Sequence, residues 1–103
     1  MTINNVAIDR TLPSRSLSKD WRDNWDEKAR RNIEKWGNQG PLVLVSVLTE
    51  EVGEVARAVT EEHYLGGGRL NRIEEEIDDL AAVCIQMLHT ISLMREGKDI
   101  GIP

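Results

Sequence analysis

Glu50, Glu51 and Glu54 form one acidic cluster in this sequence, and Glu74, Glu75, Glu76, Asp78 and Asp79 form another. Glu51 and Glu54 are three residues apart, as are Glu76 and Asp79. On an α-helix that spacing lets two side chains reach one point beside the helix. Two such pairs facing each other would place four carboxylates around a small volume. Buried carboxylates without a partner are costly or become protonated, so four together stay ionised only around a cation. The donors are all oxygen, with no His or Cys nearby, a set that suits a hard ion such as Mg2+ or Mn2+. Mg2+ keeps waters and usually completes its shell with substrate phosphates. The chemistry expected is therefore attack of an activated water on a phosphate ester or anhydride.

The elements that must position these acids read as helices. The first is expected from about Lys19 to Trp36, with Ser18 as its cap and Asp20 in its first turn. Trp21, Trp25, Ala29, Ile33 and Trp36 make its apolar face. Gly37 to Gly40 ends it, and Pro41 suits the first position of a second helix reaching about Tyr64. Leu44, Leu48, Val52, Val55 and Val59 form the second stripe. Taking Leu48 as its centre, Glu51 lies roughly 60° and Glu54 roughly 120° round the helix, so both acids interrupt apolar surface, with Glu50 at its margin. Gly66 to Gly68 breaks the chain again, and Asn71 with Glu74 has the spacing of a capping pair. Leu70, Ile73, Ile77, Leu80, Cys84, Met87, Ile91 and Met94 then alternate spacings of three and four. That heptad seam is the strongest periodic signal in the chain, and Gly97 ends it. Glu76 and Asp79 lie on one side of the seam, roughly 65° and 125° away, while Glu75 and Asp78 point further out.

The expected fold class is all-α: an antiparallel helical hairpin plus an N-terminal helix, giving a four-helix-bundle core when hairpins from two chains pair. Residues 1–17 read as an N-terminal tail, 18–97 as the domain and 98–103 as a C-terminal tail. With 103 residues the chain makes one small domain, and a buried charged site in it would need a partner chain to enclose it. A net charge of −5 argues against nucleic-acid polymers as partners. No run approaches 18 uninterrupted apolar residues, so no membrane span is expected. The N-terminus has no apolar signal-like run, which points to the cytoplasm. A single cysteine, Cys84, excludes an internal disulfide and reads as a small core residue on the seam.

Each candidate also has an ordinary explanation. Acids in the first turns of a helix complement its dipole, which accounts for Glu74 and Glu75. It accounts less well for Glu51 and Glu54, which are mid-helix and inside an apolar arc. Trp36, beside the Gly37–Gly40 loop, could stack on a base, or belong to the core with Trp21 and Trp25. Lys28, Arg31, Lys35 and Arg72 are candidate phosphate contacts or plain surface charges, and Arg72 stands out as one turn before Glu76. Gly66-Gly67-Gly68-Arg69 lacks the pattern of a phosphate-binding loop and reads as a hairpin turn. Neither His63 nor His89 stands three residues after a glutamate, so the di-iron bundle motif is absent.

Glu50-Glu51-Val52-Gly53-Glu54, followed by Glu76-Ile77-Asp78-Asp79, resembles the EExxE…ExxD signature of the MazG-like nucleotide pyrophosphohydrolases, in the all-α NTP pyrophosphatase superfamily. The stretch Leu48 to Ala58 is similar to that family's first motif helix, and the resemblance covers about residues 30–95. It implies hydrolysis of a nucleoside triphosphate, or related nucleotide, to the monophosphate and pyrophosphate, with a house-cleaning role against unwanted nucleotides. It implies Mg2+ ligands at Glu51, Glu54, Glu76 and Asp79. Glu50 would then either support a ligand or activate water, so Glu50, Glu51 and Glu54 are the catalytic candidates. Trp36, Lys35 and Arg72 are the candidate substrate contacts. It also implies a homodimer, sometimes a tetramer, with the site near the subunit interface. The fourth helix of many relatives is missing or reduced to the tail after Gly97, and the N-terminal segment matches nothing in the pattern. Two other functions fit the same residues: phosphoribosyl-ATP pyrophosphohydrolase, with similar motifs, and a non-catalytic helical dimer binding a partner through its tryptophan face.

Overall fold

A computed structural model describes residues 7–100, apart from the side chains of residues 15–18. Three helices make up the fold: α1 (Arg15–Trp36), α2 (Pro41–Leu65) and α3 (Leu70–Arg95). Among the described residues there is no strand. Residues 1–6 and 101–103, parts of the two expected tails, lie outside the described residues.

Local sequence explains most boundaries. Gly40 is extended (φ −71°, ψ 164°) and hands over to Pro41, whose fixed φ and missing N–H suit the start of α2. The α2–α3 turn holds Gly66 at φ +88° and Gly68 at φ +91°, a region that a side chain disfavours. Glu62 ties this turn down, its Oε2 accepting the Arg69 backbone N–H at 3.1 Å. Two expected caps are corrected. α1 starts at Arg15, so Ser18 lies inside the helix and does not precede it. Pro13 stands just ahead, where it cannot be part of a continuing helix interior. α3 starts at Leu70 and no side chain caps it. Its first turn closes when the Ile73 N–H donates to the Arg69 carbonyl at 3.1 Å, which puts Asn71 within the helix and dissolves the Asn71–Glu74 capping pair.

The contacts fix the directions. Between α2 and α3, Glu61 meets Arg72 and Glu51 meets Glu76 and Asp79; just ahead of α2, Gln39 meets Thr90. One number rises as the other falls, so α2 and α3 are an antiparallel hairpin. Between α1 and α3 the partners are Trp25 with Asp78, Lys28 with Asp79 and Asn32 with Gln86. These numbers rise together, so α1 runs parallel to α3. Among the described residues, α1 and α2 both pack on α3 and not on each other. The general expectation of antiparallel neighbours therefore holds for the hairpin and not for α1. A short connection reverses the chain between α1 and α2, but the surface α1 covers belongs to α3.

The buried residues are small: Ala29 on α1, Leu44 and Ala58 on α2, Ala82 and Val83 on α3. Alanines at the contacts let helix axes approach closely. Gln86 and Thr90 continue the inner face of α3, and the Thr90 hydroxyl, 1% exposed, donates to the Gln39 carbonyl at 2.9 Å. The heptad seam is not this inner face. Leu70, Ile77, Ile91 and Met94 are exposed, and so is Cys84, which corrects its expected place in the core. On α2, Val45, Val52 and Val59 are exposed at spacings of seven. By length and composition α3 could cross a membrane. Here it is the central helix on which both others pack.

Candidate metal and nucleotide site

Because α1 and α2 flank α3 without touching, a groove runs between them with α3 as its floor. The groove holds a cavity of about 350 Å³. Acidic residues line one end and amides the other.

At the acidic end, α2 contributes Glu51 and α3 contributes Glu76 and Asp79, all half-buried. Each offers a carboxylate oxygen, and the three oxygens lie within 4.8 Å of one another. Oxygens sharing one Mg2+ at about 2.1 Å can be up to about 4.2 Å apart, so rotamer-scale adjustment closes the set around such an ion. The donor chemistry and the spacing thus fit a hard divalent cation. Burial raises the Glu51 pKa above the usual carboxylate range, and the negative charges of Asp79, Glu76, Glu50 and Glu54 raise it further. Glu54 is half-buried one turn along α2 and outside the close trio, while Glu50 is exposed.

The other singled-out residues divide between the cavity and the surface. Lys28 reaches from α1 to pair with Asp79, bringing a positive charge to the edge of the cluster. Asp78 does not face solvent as its helix angle suggested, because the Trp25 indole N–H donates to its Oδ1 at 2.7 Å. Arg72 pairs with Glu61 beside the hairpin turn. That bond and charge raise the pKa of Arg72 and lower that of Glu61. The charges of Glu76 and Glu54 also reach Arg72. Arg31 lies 4.0 Å from Glu27 on exposed helix surface. Trp36 lines the cavity and is 63% exposed, with the Lys35 ammonium 4.9 Å from its ring centroid.

At the amide end the cavity meets Asn32, Gln39 and Gln86, with Val47 and Val83 as apolar walls. Asn32 Nδ2 donates to Gln86 Oε1 at 2.9 Å. The sequence reading passed over these three residues. The available signal was that Gln86 stands seven residues after Asp79, hence on the same face of α3.

Comparison with known proteins bears on the hairpin. No curated protein and no solved structure matches the chain significantly. The family model described as the MazG nucleotide pyrophosphohydrolase domain matches residues 39–101. This region spans α2 and α3, with every carboxylate of the acidic end, and leaves α1 outside. With more than half of its length matched and both acidic half-motifs inside the match, the chain belongs to the MazG nucleotide pyrophosphohydrolase family.

Proposed function

We propose that the protein hydrolyses nucleoside triphosphates, or closely related nucleotides, to the monophosphate and pyrophosphate, with Mg2+ as its metal and Mn2+ as a substitute. The observation that carries this reading is the convergence of Glu51, Glu76 and Asp79 from two helices, with Glu51 and Asp79 lining one end of a cavity of about 350 Å³. Those three carboxylates would hold the ion. A bound divalent cation supplies neutralisation of phosphate charge and acidifies water. Glu54 is half-buried beside the trio and is the carboxylate suited to take the proton of the attacking water; exposed Glu50 supports it. Lys28, at Asp79, is placed to meet phosphate oxygens, as a charge-assisted hydrogen bond requires. The half-burial of Trp21 and Trp25 and the bond of Trp25 to Asp78 give the tryptophan face an internal role, which favours the enzyme over a partner-binding module.

The reading includes assembly with a second copy. The buried apolar residues of one chain are few and small. Exposed heptad positions on α2 (Val45, Val52, Val59) and α3 (Leu70, Ile77, Ile91) lie on the same hairpin. Pairing two hairpins through them gives a four-helix bundle, in a homodimer or a tetramer.

The test is a panel of nucleoside triphosphates and phosphoribosyl-ATP with Mg2+, scored for pyrophosphate release. Glu51→Gln and Asp79→Asn should each lower turnover by at least about a hundredfold while the helical circular dichroism stays intact. Full activity in both variants, or no pyrophosphate from any member of the panel, defeats the reading.

A further inference from the structure

The amide end of the cavity has no part in the metal chemistry, yet it holds a polar side chain that an apolar core does not need. Gln86 is 5% exposed on the inner face of α3, next in line after Val83 and Ala82. A leucine or methionine there would pack without the cost of burying an amide. Asn32, from α1, donates one hydrogen bond to that amide, and both residues line the cavity. The bond uses Asn32 Nδ2 and Gln86 Oε1. Asn32 Oδ1 and Gln86 Nε2 are left as an acceptor and a donor for an occupant.

We propose that Asn32 and Gln86 read the hydrogen-bonding edge of the nucleobase; the class of molecule entering the cavity rests on the hydrolase reading above. Distance supports the assignment. Asp79 and Gln86 are seven residues apart on one helix, about 10.5 Å of rise. That is comparable with the span from a nucleotide's α-phosphate to the far edge of its base. Shape supports it too, because Val47 and Val83 give apolar walls to a flat ring. Trp36 also lines the cavity, with the Lys35 ammonium over its ring.

The chemistry of the pair makes a specific statement about selectivity. Turned together through 180°, two carboxamides keep their mutual bond and exchange donor for acceptor toward the cavity. The pair therefore accepts an edge with an amino group beside a bare ring nitrogen, as in cytosine or adenine. It equally accepts an edge with a carbonyl beside a ring N–H, as in uracil or guanine. It demands an unblocked edge but does not choose between amino and oxo bases.

The experiment compares the ordinary nucleoside triphosphates with analogues methylated on the ring nitrogen of that edge, N3 of a pyrimidine or N1 of a purine. In the wild-type protein, cytidine and uridine triphosphates should agree in kcat/KM within about tenfold, and methylation of the better one should raise KM about tenfold or more. Asn32→Ala and Gln86→Met should remove that discrimination by raising KM for the unmodified nucleotide toward that of the methylated one. Asn32 is only half-buried, so its variant keeps the test usable should Gln86→Met fail to fold. Equal handling of the methylated nucleotide by the wild type overturns the proposal, as does discrimination that survives in the folded variants. A preference above about a hundredfold between the amino and the oxo pyrimidine overturns the exchange of the amides. Tryptophan-fluorescence titration with the matching monophosphates, without metal, reads the same edge with no turnover. An absence of hydrolysis would then count against the hydrolase reading alone, and equal binding of methylated and unmethylated monophosphates against this one.

Discussion

Glu51 is the carboxyl of the acidic cluster whose pKa folding raises. Burial raises its pKa, and the like charges of Asp79, Glu76, Glu50 and Glu54 add to that effect. A carboxyl whose pKa is raised by folding binds more protons in the native state than in the unfolded chain. Stability in the metal-free protein therefore falls as pH rises from the ordinary carboxylate range through the raised native value. Glu51→Gln should remove this fall and raise the neutral-pH Tm without metal, by a few degrees at most because the group is only half-buried and solvent screens it. Thermal melts of both proteins from pH 4 to 8, with chelator present, check the sign; a variant less stable than wild type at neutral pH refutes it. The Glu51–Glu54 and Glu76–Asp79 spacings were legible in the sequence because spacing along a helix is a local property, whereas the placing of Glu54 outside the close trio was not. Lys28 at Asp79 and the Trp25 bond to Asp78 were not, since both depend on where α1 lies.

At the scale of the elements, the turn between α2 and α3 sets the register of the site, because it decides which residue of α3 stands opposite Glu51. Gly68 at φ +91° has no Cβ to oppose that conformation. Gly68→Ala should cost about 1–2 kcal/mol, measured as a lower urea midpoint at unchanged slope. An unchanged midpoint would mean that the turn adopts another shape in solution. The glycines announced this turn in the sequence, and Pro41 announced the start of α2. The caps of α1 and α3 were misplaced because a side chain able to cap does so only when the backbone stops there. The heptad seam was read correctly as a continuous apolar stripe. What it faces was not in the pattern: within one chain, α1 and α2 cover the Ala82–Val83–Gln86–Thr90 face and leave the seam outside.

For the whole molecule, the consequence is a chain with little apolar volume inside and two heptad stripes outside. Ile77, 40% exposed and central on the seam, is the position to probe. Ile77→Lys should convert a dimer to a monomer in sedimentation, and remove the concentration dependence of Tm that an associating protein shows. A wild-type protein that sediments as a monomer at every concentration would end the assembly proposal. Sequence alone determined three helices, the hairpin of the last two, the acid pairs and the family resemblance, because helical period and side-chain spacing are fixed by the backbone over a few residues. Only the tertiary structure decided that α1 lies parallel to α3 and apart from α2. That placement opens the groove, turns Asn32 toward Gln86 and Lys28 toward Asp79, and separates the face that makes the site from the seam left outside. It depends on which surfaces fit across more than fifty residues of chain, and no local pattern encodes that fit.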